Sequence, residues 1–268
     1  MNVPDDRTIG DFGSQWSRFP DPSDSFHSSP EIFFDTLQGL YDPVDVGGKR
    51  VVEVGSGSGR VLEILRRFEP AELVGVEPSQ NASVLSDRFA DDSIVKIVQA
   101  DGATPLAKKF DACFMIGVLH HIPQPMPVLV NVREMLEAEG VLVVWVYGRE
   151  GRARIAVVAI RLLRLLTIRL PDGLLVLMSR WLATAVRWYG RLVAGLRCPR
   201  FPMREYLANV FLPCSSEKQV EIVFDQLNPR YARYYSRKEL YEQLLSAGFS
   251  EVKMAVRHGY SITAVAWR

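Results

Sequence analysis

Residues 51–60 read VVEVGSGSGR: an apolar run broken only by Glu53, then glycine at three alternate positions, Gly55, Gly57 and Gly59. The amphipathic run Val61 to Phe68 follows. That order predicts a buried strand, a tight turn and a helix. Glycine is needed where backbone adopts positive φ or passes close to a ligand, because a side chain would fill the ligand's space. Spacing narrows the choice of ligand. A dinucleotide turn carries G-x-G-x-x-G and aims a helix N-terminus at a pyrophosphate. Here the last two glycines stand one residue closer, and an acid inside the preceding strand would repel a phosphate and attract a cation.

Strand and helix signals alternate on the C-terminal side of this turn. Glu72 to Val76 reads as a second strand ending at Glu77, Ile94 to Gln99 as a third ending near Asp101, Phe110 to Ile116 as a fourth and Val141 to Tyr147 as a fifth. Helical runs, Gln80 to Ala90 and Pro125 to Glu137, lie between them. Near the C-terminus Ser236 and Glu239 form a capping box, Gly248 ends that helix, and Val252 to Arg257 and Ser261 to Trp267 read as two more strands. The turn at His258-Gly259 makes the last strand antiparallel. Short β-branched runs between helices predict parallel strands buried on both faces. The fold class expected is α/β, a Rossmann-like doubly wound, mostly parallel seven-stranded sheet with a helical insertion after the fifth strand. Ligands of such sheets bind beyond the carboxyl ends of the strands, where Glu77 and Asp101 fall. A carboxylate at Glu77, 22 residues after Gly55, can accept both hydroxyl protons of a ribose, the alternative being a solvated acid at a loop start, whereas Asp101-Gly102 taken alone is an ordinary turn dipeptide.

Glu53, Gly55, Gly57 and Gly59 have the form E/D-x-G-x-G-x-G, in which the chain resembles the class I S-adenosylmethionine-dependent methyltransferases of the type 11/12-like branch. The resemblance covers about residues 11–150 and 224–268. It implies S-adenosyl-L-methionine as cofactor, which carries a sulfonium and an ammonium and no phosphate. It also implies cofactor contacts at Glu53, Gly55, Ser56, Gly57, Gly59, Glu77 and Pro78, with the Glu77 carboxylate accepting from the ribose hydroxyls. Asp101, with the amides of Gly102 or Ala103, would face the adenine, and Ile116 and Gly117 would lie beneath the methionine moiety.

The segment FDACFMIGVLHHIP, residues 110–123, resembles its family counterpart and brings in His120 and His121. A neutral imidazole can take a proton from a substrate hydroxyl near pH 7, so His121, and after it His120, are the candidates for a base. Adjacent residues diverge by about 100° on a helix, so at most one faces a site, and the pair could equally pack the turn before Pro123. FGSQWSRF, residues 12–19, resembles an element that folds over the cofactor cleft; it could also only cap the core. From Phe224 onward, FDQLNPRY resembles a segment whose aspartate, proline and aromatics form part of the substrate side. Trp16, Tyr147, Tyr231, Tyr235, Arg257 and Tyr260 are the candidate substrate contacts. No metal is expected, since neither histidine has a Cys or acidic partner at ligand spacing.

Charge is distributed unevenly. Between Gly151 and Arg204 there are eleven arginines, no lysine and one acid, Asp172, so a chain of net charge +1 holds about +10 in this segment and about −9 elsewhere. Arg154 to Leu170 and Leu174 to Leu196, separated by Pro171, Asp172 and Gly173, read as two basic amphipathic helices, the second bearing Trp181, Trp188 and Tyr189. They read as a substrate-side cap, as a contact with a membrane surface through residues 152–197, or as a packing face for a homodimer. A nucleic-acid partner is not expected, for want of lysine and of a recognised RNA-binding module. After Pro199 the chain reads as irregular.

The division expected is an N-terminal arm and helix at 1–48, a cofactor core at 49–150, the arginine-rich insertion at 151–224 and a C-terminal completion of the core at 225–268. Three widely spaced cysteines, Cys113, Cys198 and Cys214, form neither a disulfide framework nor a metal cluster, and neither a signal peptide nor a membrane span is evident. The location expected is cytoplasmic, peripheral to the inner face of a membrane if the arginine helices touch lipid. The function expected is in-line methyl transfer from S-adenosylmethionine to a small-molecule or lipid- or glycan-linked acceptor, at oxygen. A phenolate acceptor needs no base, whereas a sugar hydroxyl benefits from one. The alternatives are a membrane-surface protein that keeps the cofactor fold without catalysis, and a nicotinamide-dependent oxidoreductase.

Overall fold

The structure is a computed structural model that describes residues 6–19, 24, 26–151, 153–196 and 201–268. Cys198, Arg152 and Arg197 lie outside the described residues. A single seven-stranded sheet forms the centre, in the order β3-β2-β1-β4-β5-β7-β6. Its strands are β1 (Arg50–Val54), β2 (Glu72–Val76), β3 (Val95–Val98), β4 (Phe110–Ile116), β5 (Leu136–Tyr147), β6 (Glu251–Arg257) and β7 (Ser261–Trp267). β1 to β5 run parallel, and β7 is inserted antiparallel between β5 and β6. The order reverses at β1, which leaves a crevice at the carboxyl ends of β1 and β4. The β6–β7 hairpin turns through His258 and Gly259, both at positive φ, with the Tyr260 amide donating to the Arg257 carbonyl at 3.1 Å.

Alternation along each strand divides the core. Val52, Val54, Cys113, Met115, Leu142 and Val144 meet Leu129 and Val132 of α5 (Pro125–Met135) and Leu240 and Leu244 of α10 (Arg237–Ser246) on one face. Val51, Ala112, Phe114 and Val143 meet α2 (Pro30–Leu37) and α3 (Arg60–Arg66) on the other, and α4 (Asn81–Arg88) adds Leu85 there. Glu53 shares the Val51 face, so a charged side chain is carried into an apolar layer. β5 begins earlier than the sequence suggests: Phe110 pairs with Leu136 and Ala112 with Val141, the excess residues being taken up as a bulge.

Two parts differ from expectation. The N-terminal arm folds as α1 (Asp6–Arg18), which Gly10 and Gly13 would disfavour in isolation. Tertiary bonds hold it: the Asn228 amide donates to the Asp11 carbonyl at 3.1 Å, and Arg18 pairs with Asp172 at 2.8 Å. The segment expected to be irregular contains α8 (Arg204–Tyr206), a wide turn at Leu207–Phe211 and α9 (Ser216–Leu227). Ser215 caps α9 by accepting from the Lys218 amide at 3.2 Å. α9 runs through position 224, the boundary expected for the insertion, and ends at Leu227. Of the packings open to the insertion, α6 (Ala153–Thr167) and α7 (Asp172–Gly195) do not take the one with apolar faces inward; both lean on α9 through narrow stripes and leave most of their leucines exposed. Asp172 and Gly173, expected to break the pair, form the first turn of α7.

One ion pair fastens the sheet edge to α2. Arg257 is 4% exposed at its side chain and pairs with Asp35 at 2.7 Å, and His258 reaches the same carboxylate at 2.9 Å. Burial pushes the Asp35 carboxyl up, but Arg257 and His258 outweigh it and hold the group below the usual carboxylate range. Its stabilisation is therefore present above the unfolded carboxylate pKa near ~4 and is lost as pH falls through the lower folded value. Asp35→Asn strands a buried guanidinium and is expected to cost about 3 kcal/mol at pH 7. Thermal melts should show the gap between wild type and variant closing below about pH 4; equal melting at neutral pH would show that the pair contributes nothing.

Candidate functional site

The glycine turn between β1 and α3 sits at the sheet's crevice with Gly55, Gly57 and Gly59 at φ of 80°, 53° and 81°. A methyl group added at Gly55 would stand 2.5 Å from a Val118 methyl, and one at Gly57 would stand 2.9 Å from the Trp16 ring. Gly59 is different: its space is taken by Leu85 of α4, so it is required for helix packing and does not line the site. The Gly57 amide donates to the Glu77 carboxylate at 2.8 Å, and the Ser79 amide donates to the other oxygen at 3.0 Å. Asn81 donates to the Gly57 carbonyl and closes the turn from the far side.

A cavity of about 960 Å³ opens beneath this turn, large for a small-molecule site, whose usual range is about 300–1,000 Å³. Of the residues expected at the cofactor, Glu53, Gly55, Ser56, Gly57, Glu77, Pro78, Asp101, Gly102, Ala103, Ile116 and Gly117 all line it. The Asp101 loop is fixed by its own carboxylate, which accepts from the Ala103 amide at 2.7 Å, and by Asn131, which donates to the Gly102 carbonyl at 2.8 Å. Glu53 is 2% exposed and its Oε2 meets no donor. Burial holds its carboxyl well above the usual carboxylate range, with Arg60 pulling the other way. A buried acid that lines a cavity with one oxygen unsatisfied fits a cationic ligand, which would favour its charged form.

The other half of the cavity is built by elements from both ends of the chain. α1 closes over it: Trp16 lies against Gly57, and the Phe12 ring meets His121 edge-on at 4.7 Å. α9 supplies Lys218, Glu221 and Asp225, the first two paired at 2.7 Å. Asp225 is the fixed point of this half, accepting from the Tyr147 hydroxyl at 2.5 Å and from Gln15 of α1 at 3.1 Å. Burial, then Asp225, push the Tyr147 phenol well above its ordinary range, so it stays protonated and donates. Trp145, Tyr206, Tyr231, Tyr260 and Arg257 complete the wall.

The two histidines separate. His121 lines the cavity, and its Nδ1 lies 3.0 Å from the Tyr231 carbonyl, which can only accept, so Nδ1 carries the proton and Nε2 is left to accept one. Burial lowers its pKa, and Asp225 partly offsets that. His120 is fully buried between His121 and Tyr147, does not reach the cavity, and neither ring nitrogen meets a partner. It is placed as a packed side chain and not as one facing an acceptor. Tyr235, expected at the substrate, is likewise buried behind the site with Arg233 over its ring, whereas Trp16, Tyr147, Tyr231, Arg257 and Tyr260 do line the cavity. Arg60, Tyr206, Lys218 and Glu221 are not among the site residues expected from sequence, Phe12 and Gln15 enter only as part of residues 12–19, and Asp225 only as the unnumbered aspartate of the segment beginning at Phe224. The wall formed by α9 was hidden because its surroundings read as irregular.

Residues 52–142 match the family model described as a methyltransferase domain. The chain is 27% identical over 176 residues to a ubiquinone biosynthesis O-methyltransferase from Actinobacillus pleuropneumoniae, covering 59% of this chain and 71% of that protein. It is 33% identical over 103 residues to a tRNA U34 carboxymethyltransferase from Colwellia psychrerythraea, covering 37% of this chain and only 32% of that one. Among solved structures, the pyocyanin biosynthetic protein PhzM shares the fold with a TM-score of 0.55 at 16% identity, over 96% of this chain and 61% of the other. A 1,6-didemethyltoxoflavin-N1-methyltransferase from Burkholderia thailandensis, solved with S-adenosylhomocysteine, superposes with a TM-score of 0.50 at 13% identity, over 100% and 91%. Strand order, glycine turn and domain match agree: the chain carries a methyltransferase domain, on the fold of the class I S-adenosylmethionine-dependent methyltransferases.

Proposed function

We propose that the chain methylates an oxygen of a small, flat, partly apolar acceptor held in the half of the cavity between α1 and α9. The observation that supports this reading is the enclosure of His121, with Nε2 as its proton acceptor, in a wall of aromatic rings covered by Phe12 and Trp16. An apolar ring is well matched to Trp145, Tyr147, Tyr206 and Tyr260, and a hydroxyl on it to His121 and Asp225.

When bound, S-adenosylmethionine supplies an electrophilic methyl group. Glu77, Asp101 and the glycine turn would hold it, and Glu53 would face its positive charge. The chain's own work is to orient and dry the acceptor. Trp16 and Phe12 exclude water, Tyr147 and Gln15 hold Asp225 in place, and His121 takes the acceptor's hydroxyl proton on Nε2. With its pKa lowered by burial, His121 is neutral at pH 7 and can accept that proton. A tRNA acceptor is the second reading, favoured by the tRNA-modifying relative, but that match covers about a third of either protein and α1 stands over the acceptor half of the cavity.

Two outcomes test the proposal. With a hydroxylated aromatic acceptor found by screening for transfer of a labelled methyl group, His121→Gln should lower turnover about 10²- to 10⁴-fold. The acid limb of the wild-type rate profile should lie below the ordinary imidazole value near ~6.5. Asp225→Asn should move that limb lower still, since removing a nearby negative charge disfavours the imidazolium; a limb unmoved by both changes would remove His121 as the base. Separately, Glu77→Ala should weaken S-adenosylhomocysteine binding by about 1–3 kcal/mol in calorimetry, the penalty for losing hydrogen bonds to a carboxylate. Unchanged affinity would place the ribose elsewhere.

A further inference from the structure

The two helices of the arginine-rich insertion are inside out. The residues of α6 that face the protein are Ala153, Val157, Arg164 and Thr167, and Arg164 is buried by bonds to the Gln226 and Ala232 carbonyls and the Tyr234 hydroxyl. At about 100° per residue, Val158, Ile155, Leu162, Leu165 and Leu166 occupy the opposite face. All are exposed, Leu166 by 68%. α7 repeats the arrangement. Its buried stripe is Leu175, Ser179, Ala183, Gly190 and Val193, while Leu174, Leu177, Trp181, Trp188 and Leu192 point outward, Trp181 by 72% and Trp188 by 67%. Monomeric soluble surfaces rarely leave so much contiguous apolar area in water.

Charge decides what covers it. Arg161 on α6 and Arg180 and Arg191 on α7 flank these apolar faces at about 80–100° from the start of each helix, and among the described residues none has a carboxylate within ion-pair distance. The one acid in residues 153–196, Asp172, is already paired with Arg18. A second copy of the chain, docking face to face, would set arginine edges against arginine edges with no acid to compensate. A bilayer carrying anionic lipid offers both an apolar interior for the leucines and tryptophans and a negative surface for the arginines. No described helix is long and apolar enough to cross a membrane, so the contact would lie in the interface.

We propose that the outward faces of α6 and α7 dock the protein on an anionic lipid bilayer. Both helices rest on α9, whose opposite side lines the cavity with Glu221 and Asp225, so the docked face lies directly behind the acceptor wall. The inference is independent of which acceptor is methylated.

Flotation of the full chain with phosphatidylcholine vesicles containing one quarter phosphatidylglycerol, beside pure phosphatidylcholine vesicles, tests it. The expected result is binding to the first at low salt, at least tenfold weaker binding to the second, and a blue shift of tryptophan fluorescence on the anionic vesicles. Trp181→Ala with Trp188→Ala, and separately Arg161→Gln, Arg180→Gln and Arg191→Gln together, should each weaken binding at least tenfold. Unchanged melting and S-adenosylhomocysteine affinity would show that both variants are folded. Three results would overturn the proposal: no flotation with the anionic vesicles, equal flotation of the wild type and both variants, or sedimentation as a dimer that the tryptophan changes convert to a monomer. Binding to bulk tRNA with none to vesicles would overturn it as well.

Discussion

The hydrogen bond from the Gly57 amide to the Glu77 carboxylate ties together the parts of the molecule that matter most. It joins the turn after β1 to the end of β2, and it forms only because Gly57 stands at positive φ with no side chain between the backbone and Trp16. Glu77 is buried and held by two backbone amides, so the acid that would bind a ribose is already aimed. Such preorganisation limits the ordering that binding must supply. The same turn fixes the position of α1, because Trp16 packs in the space that the missing side chain leaves.

The cavity divides by chemistry. Its sheet-side half is made of backbone, glycine and acids at strand ends, and the acids there suit a ligand that is positive and rich in hydroxyls. Its helix-side half is made of rings and one buried network, in which Tyr147 and Gln15 both donate to Asp225. Gln15 belongs to α1 and Asp225 to α9, so the covering helix is latched onto the acceptor wall. The same helix lays the Phe12 ring against His121, so one element both covers the base and holds Asp225.

The sheet was readable because its signals are local. Runs of Val and Ile, a glycine turn and acids just past strand ends each announce themselves within a few residues, and the cofactor half follows from them. Gly59 shows the limit of motif reading: it belongs to the pattern, yet its lack of a side chain makes room for Leu85 and for no ligand. The acceptor half was harder because its residues converge from α1, the turn after β4, β5, α8, α9 and the β6–β7 hairpin. α1 contains two glycines and is held by distant partners such as Asn228, so local propensity argues against it. α9 stands among prolines that suggested irregular chain. His120 and His121 are adjacent in sequence and opposite in role, a distinction that only burial and the Tyr231 carbonyl draw. The apolar periodicity of α6 and α7 was visible, but periodicity does not say which side of a helix meets the protein.

Calorimetric titration of the intact chain with S-adenosylhomocysteine, run beside the same titration with NADH, bears most directly on the central claim. The structure predicts one site per chain for S-adenosylhomocysteine and no heat from NADH, because the glycine spacing is not that of a pyrophosphate-binding turn. Absence of S-adenosylhomocysteine binding in protein that unfolds cooperatively, or saturable binding of NADH in its place, would contradict the account.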